Sequence, residues 1–136
     1  MPPRYLLDTN LIIRLRRRHP PAVIERFVRL QPGEAIMSAV VYGELCYGIE
    51  KGPSRDEARE VLARLTQAIP VVPLPAEAGL AYGRIRSVLE ASGSIIGAND
   101  LWIAAHALTS GLVLVTGNQG EFSRVEGLAI EDWCAG

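Results

Sequence analysis

The chain has 136 residues, of which 49% are hydrophobic and 21% charged, and its formal net charge at pH 7 is −1. This composition excludes disordered and fibrous classes, the length predicts a single domain over residues 1–136, and no apolar run reaches the about 20 residues that span a bilayer. Residues 1–4 lack the pattern of a signal peptide, so we expect a cytoplasmic protein without membrane contact. The two cysteines, Cys46 and Cys134, exclude a disulfide framework and argue against a structural zinc site.

Four short apolar runs predict β-strands. They are Tyr5–Leu7, Ala35–Met37, Val71–Val72 and Leu112–Val115. The last run is apolar on both faces, which is typical of a buried parallel strand.

The segments between these runs carry helical periodicity. The expected helices cover Leu11–Arg17, a segment after Ser38, a segment opened by the capping box Ser54–Glu57, a stripe from Ala78 to Leu89 closed by Gly93, and Asp100–Thr109 with Asn99 as its N-cap. Strands that alternate with helices predict an α/β fold with a parallel sheet.

Three polar residues directly follow predicted strands, namely Asp8, Ser38 and Thr116. Open α/β sheets bind their ligands beyond the carboxyl ends of the strands. We therefore expect the chemistry of this protein at that edge.

Three acids deserve a functional interpretation, although each has a structural alternative. Asp8 could cap the next helix, Glu44 could be a border residue of an apolar helix stripe, and Asp100 could serve the dipole of its helix. Carboxylates that converge repel one another unless a cation intervenes. Together the three predict a Mg²⁺ or Mn²⁺ site that activates water for phosphodiester cleavage.

An ordered set of motifs resembles the PIN-domain nucleases and, within them, the VapC toxins of bacterial toxin–antitoxin pairs. The motifs are Leu7–Asn10, Ser38–Gly48 with Glu44-Leu45, Asn99–Ala104, Leu114–Asn118, Glu121-Phe122, Gly127-Leu128 and Glu131–Trp133. The resemblance covers nearly the whole chain. It implies a three-layer α/β/α domain with a central parallel sheet of four or five strands.

The resemblance also implies roles for individual residues. Asp8, Glu44 and Asp100 would form the catalytic acidic triad of a Mg²⁺- or Mn²⁺-dependent endoribonuclease, with Glu44 binding metal directly or through water. The groups that hold these carboxylates or a phosphate would be Thr9, Asn10, Ser38, Thr116 and Asn118. A subgroup with a similar C-terminal stretch is associated with cleavage in the anticodon stem-loop of initiator tRNA.

Asn118 departs from the family pattern, because many PIN domains carry a fourth acid at that position. An amide there removes one negative charge and puts a second metal in doubt, although Glu121 is near in sequence. An alternative is therefore a catalytically weak PIN-like module that binds RNA or protein. A HAD-type phosphatase is disfavoured, since Asn10 stands where its second Asp is required.

The basic residues are concentrated near the N-terminus. Residues 1–30 carry seven arginines and two acids, whereas the remainder is acidic. Arg14, Arg16 and Arg17 follow the Asp8 motif and could bind RNA phosphates, or simply form a solvated helix face. The resemblance implies a VapB-like antitoxin as partner, a tRNA substrate, a homodimer and a higher toxin–antitoxin assembly.

Overall fold

The computed structural model describes residues 2–134, so Met1, Ala135 and Gly136 of the predicted domain lie outside the described residues. The strands are β1 (Tyr5–Leu7), β2 (Ala35–Ser38), β3 (Val71–Val72), β4 (Val113–Val115) and β5 (Ile130–Glu131). The helices are α1 (Thr9–Arg17), α2 (Pro21–Phe27), α3 (Ala39–Lys51), α4 (Arg55–Ala68), α5 (Ala78–Ala91), α6 (Ala98–Thr109) and α7 (Gln119–Phe122).

The five strands form one parallel sheet in the order β3-β2-β1-β4-β5, with helices packed on both faces. The predicted α/β/α fold and its strand number are confirmed. The central strand β1 is buried on both faces, and Leu6 pairs with Ile36 of β2 and Leu114 of β4. The ends of β1, β2 and β4 therefore meet at one edge, as expected for parallel neighbours.

The starts of two helices and the capping of a third differ from the predictions. α1 begins at Thr9 because Asp8 is its N-cap and accepts a hydrogen bond from the Leu11 N–H at 2.9 Å. The prediction of Asn99 as an N-cap is wrong, since α6 already begins after Gly97. Ser54 does precede α4, but its side chain makes no capping hydrogen bond.

Within residues 2–134, no helix combines the length and the apolar character needed to cross a membrane.

Candidate active site

Asp8 lies at the end of β1 and is 5% exposed. Burial raises the pKa of its carboxyl group, while hydrogen bonds from the Thr116 hydroxyl and the Leu11 N–H act to lower it. Thr116 is itself oriented, since its Oγ1 accepts a hydrogen bond from the Asn118 N–H at 2.9 Å. The same aspartate thus caps α1 and points its carboxylate into the site, so the structural and functional interpretations are compatible.

Glu44 reaches the site from α3 and is half-buried. The Thr9 hydroxyl donates to its Oε1 at 2.5 Å, and the Asn99 amide donates to its Oε2 at 3.3 Å. These two hydrogen bonds connect α3 to the first turns of α1 and α6. The carboxylate is consequently held in a defined orientation.

Asp100 stands in the first turn of α6 beside Glu121 of α7. Its pKa is raised to about 7 by burial, by a hydrogen bond shared with Glu121, and by the negative charges of Glu121, Glu44 and Asp8. Glu121 accepts hydrogen bonds from the Gly97 N–H at 2.9 Å and from the Asn118 amide at 2.5 Å. Although burial opposes it, these contacts and the one with Asp100 lower the pKa of Glu121, so Asp100 is the more readily protonated of the two groups.

The three predicted triad acids interact electrostatically. The charge of Glu44 raises the pKa of Asp8, and the charges of Glu44 and Asp8 raise the pKa of Asp100. Across residues 2–134, however, no three or more Asp, Glu, His or Cys side chains are arranged so that they could hold a metal ion. Hydrogen bonds from Thr9 and Asn99 hold Glu44 in its present position. The three acids surround one region without forming a preassembled metal cage.

Two of the residues predicted to hold the carboxylates or a phosphate, Ser38 and Asn10, make other interactions or none. Ser38 is fully buried and caps α3, with its hydroxyl accepting from the Val40 N–H at 3.1 Å. Asn10 is exposed on α1, and its side chain forms no hydrogen bond within residues 2–134. Neither side chain forms a hydrogen bond with a triad acid in the described part of the chain.

The three predicted RNA-binding arginines are exposed on α1. The positive charge of Arg14 helps to lower the pKa of Asp8, and its Nη1 lies 3.5 Å from the Cys134 Sγ. Arg16 lines a groove of about 350 Å³ that also includes Thr9 and Glu44. Arg17 forms no side-chain hydrogen bond or ion pair in the described part of the chain.

Comparison with known proteins identifies the family of this chain. The PIN domain family matches residues 5–128. A relative named Ribonuclease VapC1, from Haemophilus influenzae strain R2866, is 37% identical over 95% of this chain and 97% of its own length. The chain belongs to the PIN-domain family and to its VapC branch. The tRNA(fMet)-specific endonuclease VapC of Shigella flexneri is also similar, with 38% identity over 96% of this chain and 98% of that protein.

Solved PIN-domain structures share the whole fold. The DNA-bound VapBC of Salmonella typhimurium aligns with a TM-score of 0.90 and 35% identity, covering 97% of this chain and 99% of that one. VapBC-1 of nontypeable Haemophilus influenzae aligns with a TM-score of 0.89 and 36% identity over 98% of both chains. The predicted family is thereby confirmed.

Two residues that the sequence did not assign to this PIN-domain site touch its acids. Asn99 was expected to cap α6 but orients Glu44, and its position directly before Asp100 was the only available signal. Glu121 was noted only as an acid near Asn118 in sequence that could compensate for the missing fourth carboxylate, and it lies in contact with Asp100. Its spacing of three residues from Asn118 was the corresponding signal, since residues three apart share a helix face.

Proposed function

We propose that this chain is a metal-dependent endoribonuclease, that it is the toxin of a toxin–antitoxin pair, and that it cleaves tRNA. The observation that carries the proposal is that Asp8, Glu44 and Asp100, from three distant stretches of sequence, lie close enough for their charges to interact. Family membership supports the nuclease class. The names of the relatives from Haemophilus, Shigella and Salmonella support RNA, and initiator tRNA in particular, as substrate.

The donor set fits a hard divalent cation. All of its donors are carboxylate, hydroxyl or amide oxygens, which Mg²⁺ and Mn²⁺ prefer. The pKa of Asp100 is raised by burial and by Glu121, Glu44 and Asp8, as expected for clustered carboxylates when no cation separates them. We propose Asp8 and Asp100 as direct ligands and Glu44 as a ligand through water, with Thr9 and Asn99 keeping Glu44 in place.

Such an ion would supply an activated water and charge stabilisation for the phosphodiester transition state. The residues of the chain prepare the site for this chemistry. In this proposal Glu44, oriented by Thr9 and Asn99, would accept a proton from the attacking water. Glu121 fixes the start of α6 through the Gly97 N–H and so positions Asp100. Arg14 adds positive charge beside Asp8, where a phosphate would be bound.

We propose a VapB-like antitoxin as the partner of this chain, in the cytoplasm. The support comes from structural neighbours that are VapBC complexes of Rickettsia felis, Haemophilus influenzae and Salmonella typhimurium, two of them bound to DNA. The homodimer and the higher assembly remain predictions. If the toxin role is correct, expression of the chain alone halts growth, and co-expression of its antitoxin restores it. Harmless expression of the folded, active enzyme would contradict this role.

The deciding experiment compares cleavage of end-labelled initiator and elongator tRNA by the purified protein. We expect cleavage of initiator tRNA with Mg²⁺ or Mn²⁺ and none with EDTA. Asp8→Asn is expected to lose at least about 100-fold in rate while remaining folded, because Asn caps a helix as well as Asp does. Asp56→Asn, in the exposed first turn of α4, removes the same charge and serves as the matched control. Undiminished cleavage by Asp8→Asn would refute the catalytic assignment, whereas RNA binding without any cleavage would favour the PIN-like binding module.

A further inference from the structure

A groove of about 500 Å³ lies between α2 and the segment that follows β5, and we refer to it as the α2–β5 groove. Its volume is within the range of about 300–1,000 Å³ that is typical of small-ligand pockets. The polar side chains that line it are Glu25, Arg26, Arg29, Gln119, Glu131 and Asp132.

Two residues that line the α2–β5 groove, Asp132 and Gln119, lie beyond the carboxyl ends of β5 and β4, at the edge of the sheet where Asp8 follows β1. Asp132 directly follows β5, which is parallel to β4 and pairs with it. Gln119 is the first residue of α7, the short helix that also carries Glu121. A nucleic-acid strand bound at the acids could therefore extend into the groove.

Arg26 lines the groove and is held in place by its neighbours. Its Nη2 donates to Glu131 Oε1 at 2.9 Å and to the Tyr5 hydroxyl at 3.4 Å. Its guanidinium carbon lies 5.7 Å from the ring centroid of Trp133 and 6.0 Å from that of Tyr5. The Trp133 Nε1 donates to the same Glu131 oxygen at 3.0 Å, which holds the cluster together. The Nε atom of Arg26 is buried without a hydrogen-bond partner within residues 2–134, whereas the side chain as a whole is 40% exposed. A guanidinium group is a planar surface on which a nucleobase can stack.

Three polar side chains that line the groove have no hydrogen-bond or ion-pair partner in the described part of the chain. Glu25, Arg29 and Gln119 form no side-chain hydrogen bond or ion pair within residues 2–134. Acidic residues outnumber basic ones in the lining, so the groove as a whole does not suit a phosphate. It suits instead a neutral planar ligand that presents hydrogen-bond donors to a carboxylate and acceptors to an arginine.

We propose that the α2–β5 groove binds an unpaired guanine of the RNA substrate. Guanine is the base whose Watson–Crick edge presents two adjacent N–H donors, which a carboxylate accepts together, while its O6 and N7 accept from an arginine. In this arrangement the base stacks on Arg26, Glu25 accepts from N1–H and the 2-amino group, and Arg29 donates to the acceptor edge. The inference deepens the proposed ribonuclease function, because it assigns to residues outside the acid site the selection of the RNA.

Binding in EDTA tests this inference independently of catalysis. The probes are fluorescently labelled uridine octamers that contain one central guanosine, inosine or adenosine, and affinity is measured by fluorescence anisotropy. We expect the guanosine octamer to bind at least about 5-fold more tightly than the adenosine octamer, which is the lower end of the discrimination by one bidentate pair. Inosine, which lacks the 2-amino group, should fall between them.

Two variants and their matched controls locate the preference. Glu25→Gln is expected to reduce the guanosine preference to less than 2-fold, and Arg29→Ala to weaken guanosine binding by about 5-fold or more. Glu57→Gln on α4 and Arg84→Ala on α5 remove the same charges from exposed positions away from the groove and should leave the preference unchanged.

Each possible failure has a distinct meaning. Absence of binding, equal affinities for the three octamers, or variants that behave like their controls would overturn the guanine site. If the wild type cleaves tRNA but shows no preference in EDTA, the proposed function stands and the groove assignment fails. If the preference is present but no metal restores cleavage, the guanine site stands and the nuclease proposal fails.

Discussion

Replacing Asp100 by Asn should stabilise the metal-free protein while removing its activity. The carboxyl group of Asp100 is half-buried beside Glu121 and within the influence of Asp8 and Glu44. An asparagine at this position carries no charge, and its amide can donate to Glu121 in place of the protonated carboxyl group. The hydrogen bond is thus retained, whereas the repulsion among the carboxylates is reduced.

The magnitude follows from the pKa of Asp100, which is about 7 in the folded chain compared with an ordinary 3.8. A tenfold change in an ionisation equilibrium corresponds to about 1.4 kcal/mol, so a fully shielded group would cost about 4 kcal/mol at pH 8. Solvent screening of the half-exposed Asp100 reduces this cost to about 1–2 kcal/mol. For a chain of this size we expect a rise in melting temperature of about 3–8 °C.

The sign of the pH dependence is fixed by the direction of the pKa. Between about pH 4 and pH 7 the unfolded chain has released the Asp100 proton and the folded chain has kept it, so wild-type stability falls as pH rises through this window. Asp100→Asn does not lose stability in this way. The stability of the variant should therefore exceed that of the wild type only slightly at pH 4 and by the full amount above pH 7.

Thermal unfolding followed by circular dichroism in EDTA, from pH 4 to pH 8, measures this difference. Asp56→Asn is the matched control, because it also removes a carboxylate from a first helical turn but leaves the acid site intact. Added Mg²⁺ should raise the melting temperature of the wild type and of Asp56→Asn, and not that of Asp100→Asn. A melting temperature of Asp100→Asn at or below that of the wild type at pH 8 would refute the reasoning.

Two further predictions concern single side chains. Thr9→Val removes the hydroxyl that orients Glu44, so the rate of tRNA cleavage should fall by about 10-fold or more. The free energy of unfolding should fall by less than about 1.5 kcal/mol. The control Thr66→Val on α4 should cleave normally. His106 is 1% exposed, and its Nδ1 has no hydrogen-bond partner within residues 2–134. Burial lowers the pKa of His106, so the unfolded chain binds a proton more readily than the folded chain does. The stability of the wild type should therefore decline as pH falls below about 6.5. His106→Leu should lack this decline, and a difference in melting temperature between the two proteins that stays constant from pH 8 to pH 5 would contradict the prediction.

Much of the fold could be predicted because apolar runs and helical stripes are local signals. β1 and β4 are short apolar runs that are directly followed by Asp8 and Thr116, and the apolar character of both faces of the second run predicts a parallel strand. The starts of helices were less predictable, since a cap depends on where the chain turns. Asn99 has the side chain of an N-cap, but Gly97 is held by Glu121 and starts α6 earlier, which leaves Asn99 free to bind Glu44.

The surroundings of Asn118 in the acid site could not be predicted from the sequence either. The sequence indicates a missing fourth carboxylate, and only the tertiary contacts of α7 show that Glu121 supplies a carboxylate one helical turn further on. The Asn118 amide donates to that carboxylate at 2.5 Å, and the Gly97 N–H donates to it from α6. An aspartate at 118 would replace this donor with another negative charge against Glu121 and would raise the pKa values of the group further. With Glu121 in this position, an amide at 118 is therefore the residue type that the remaining acids require.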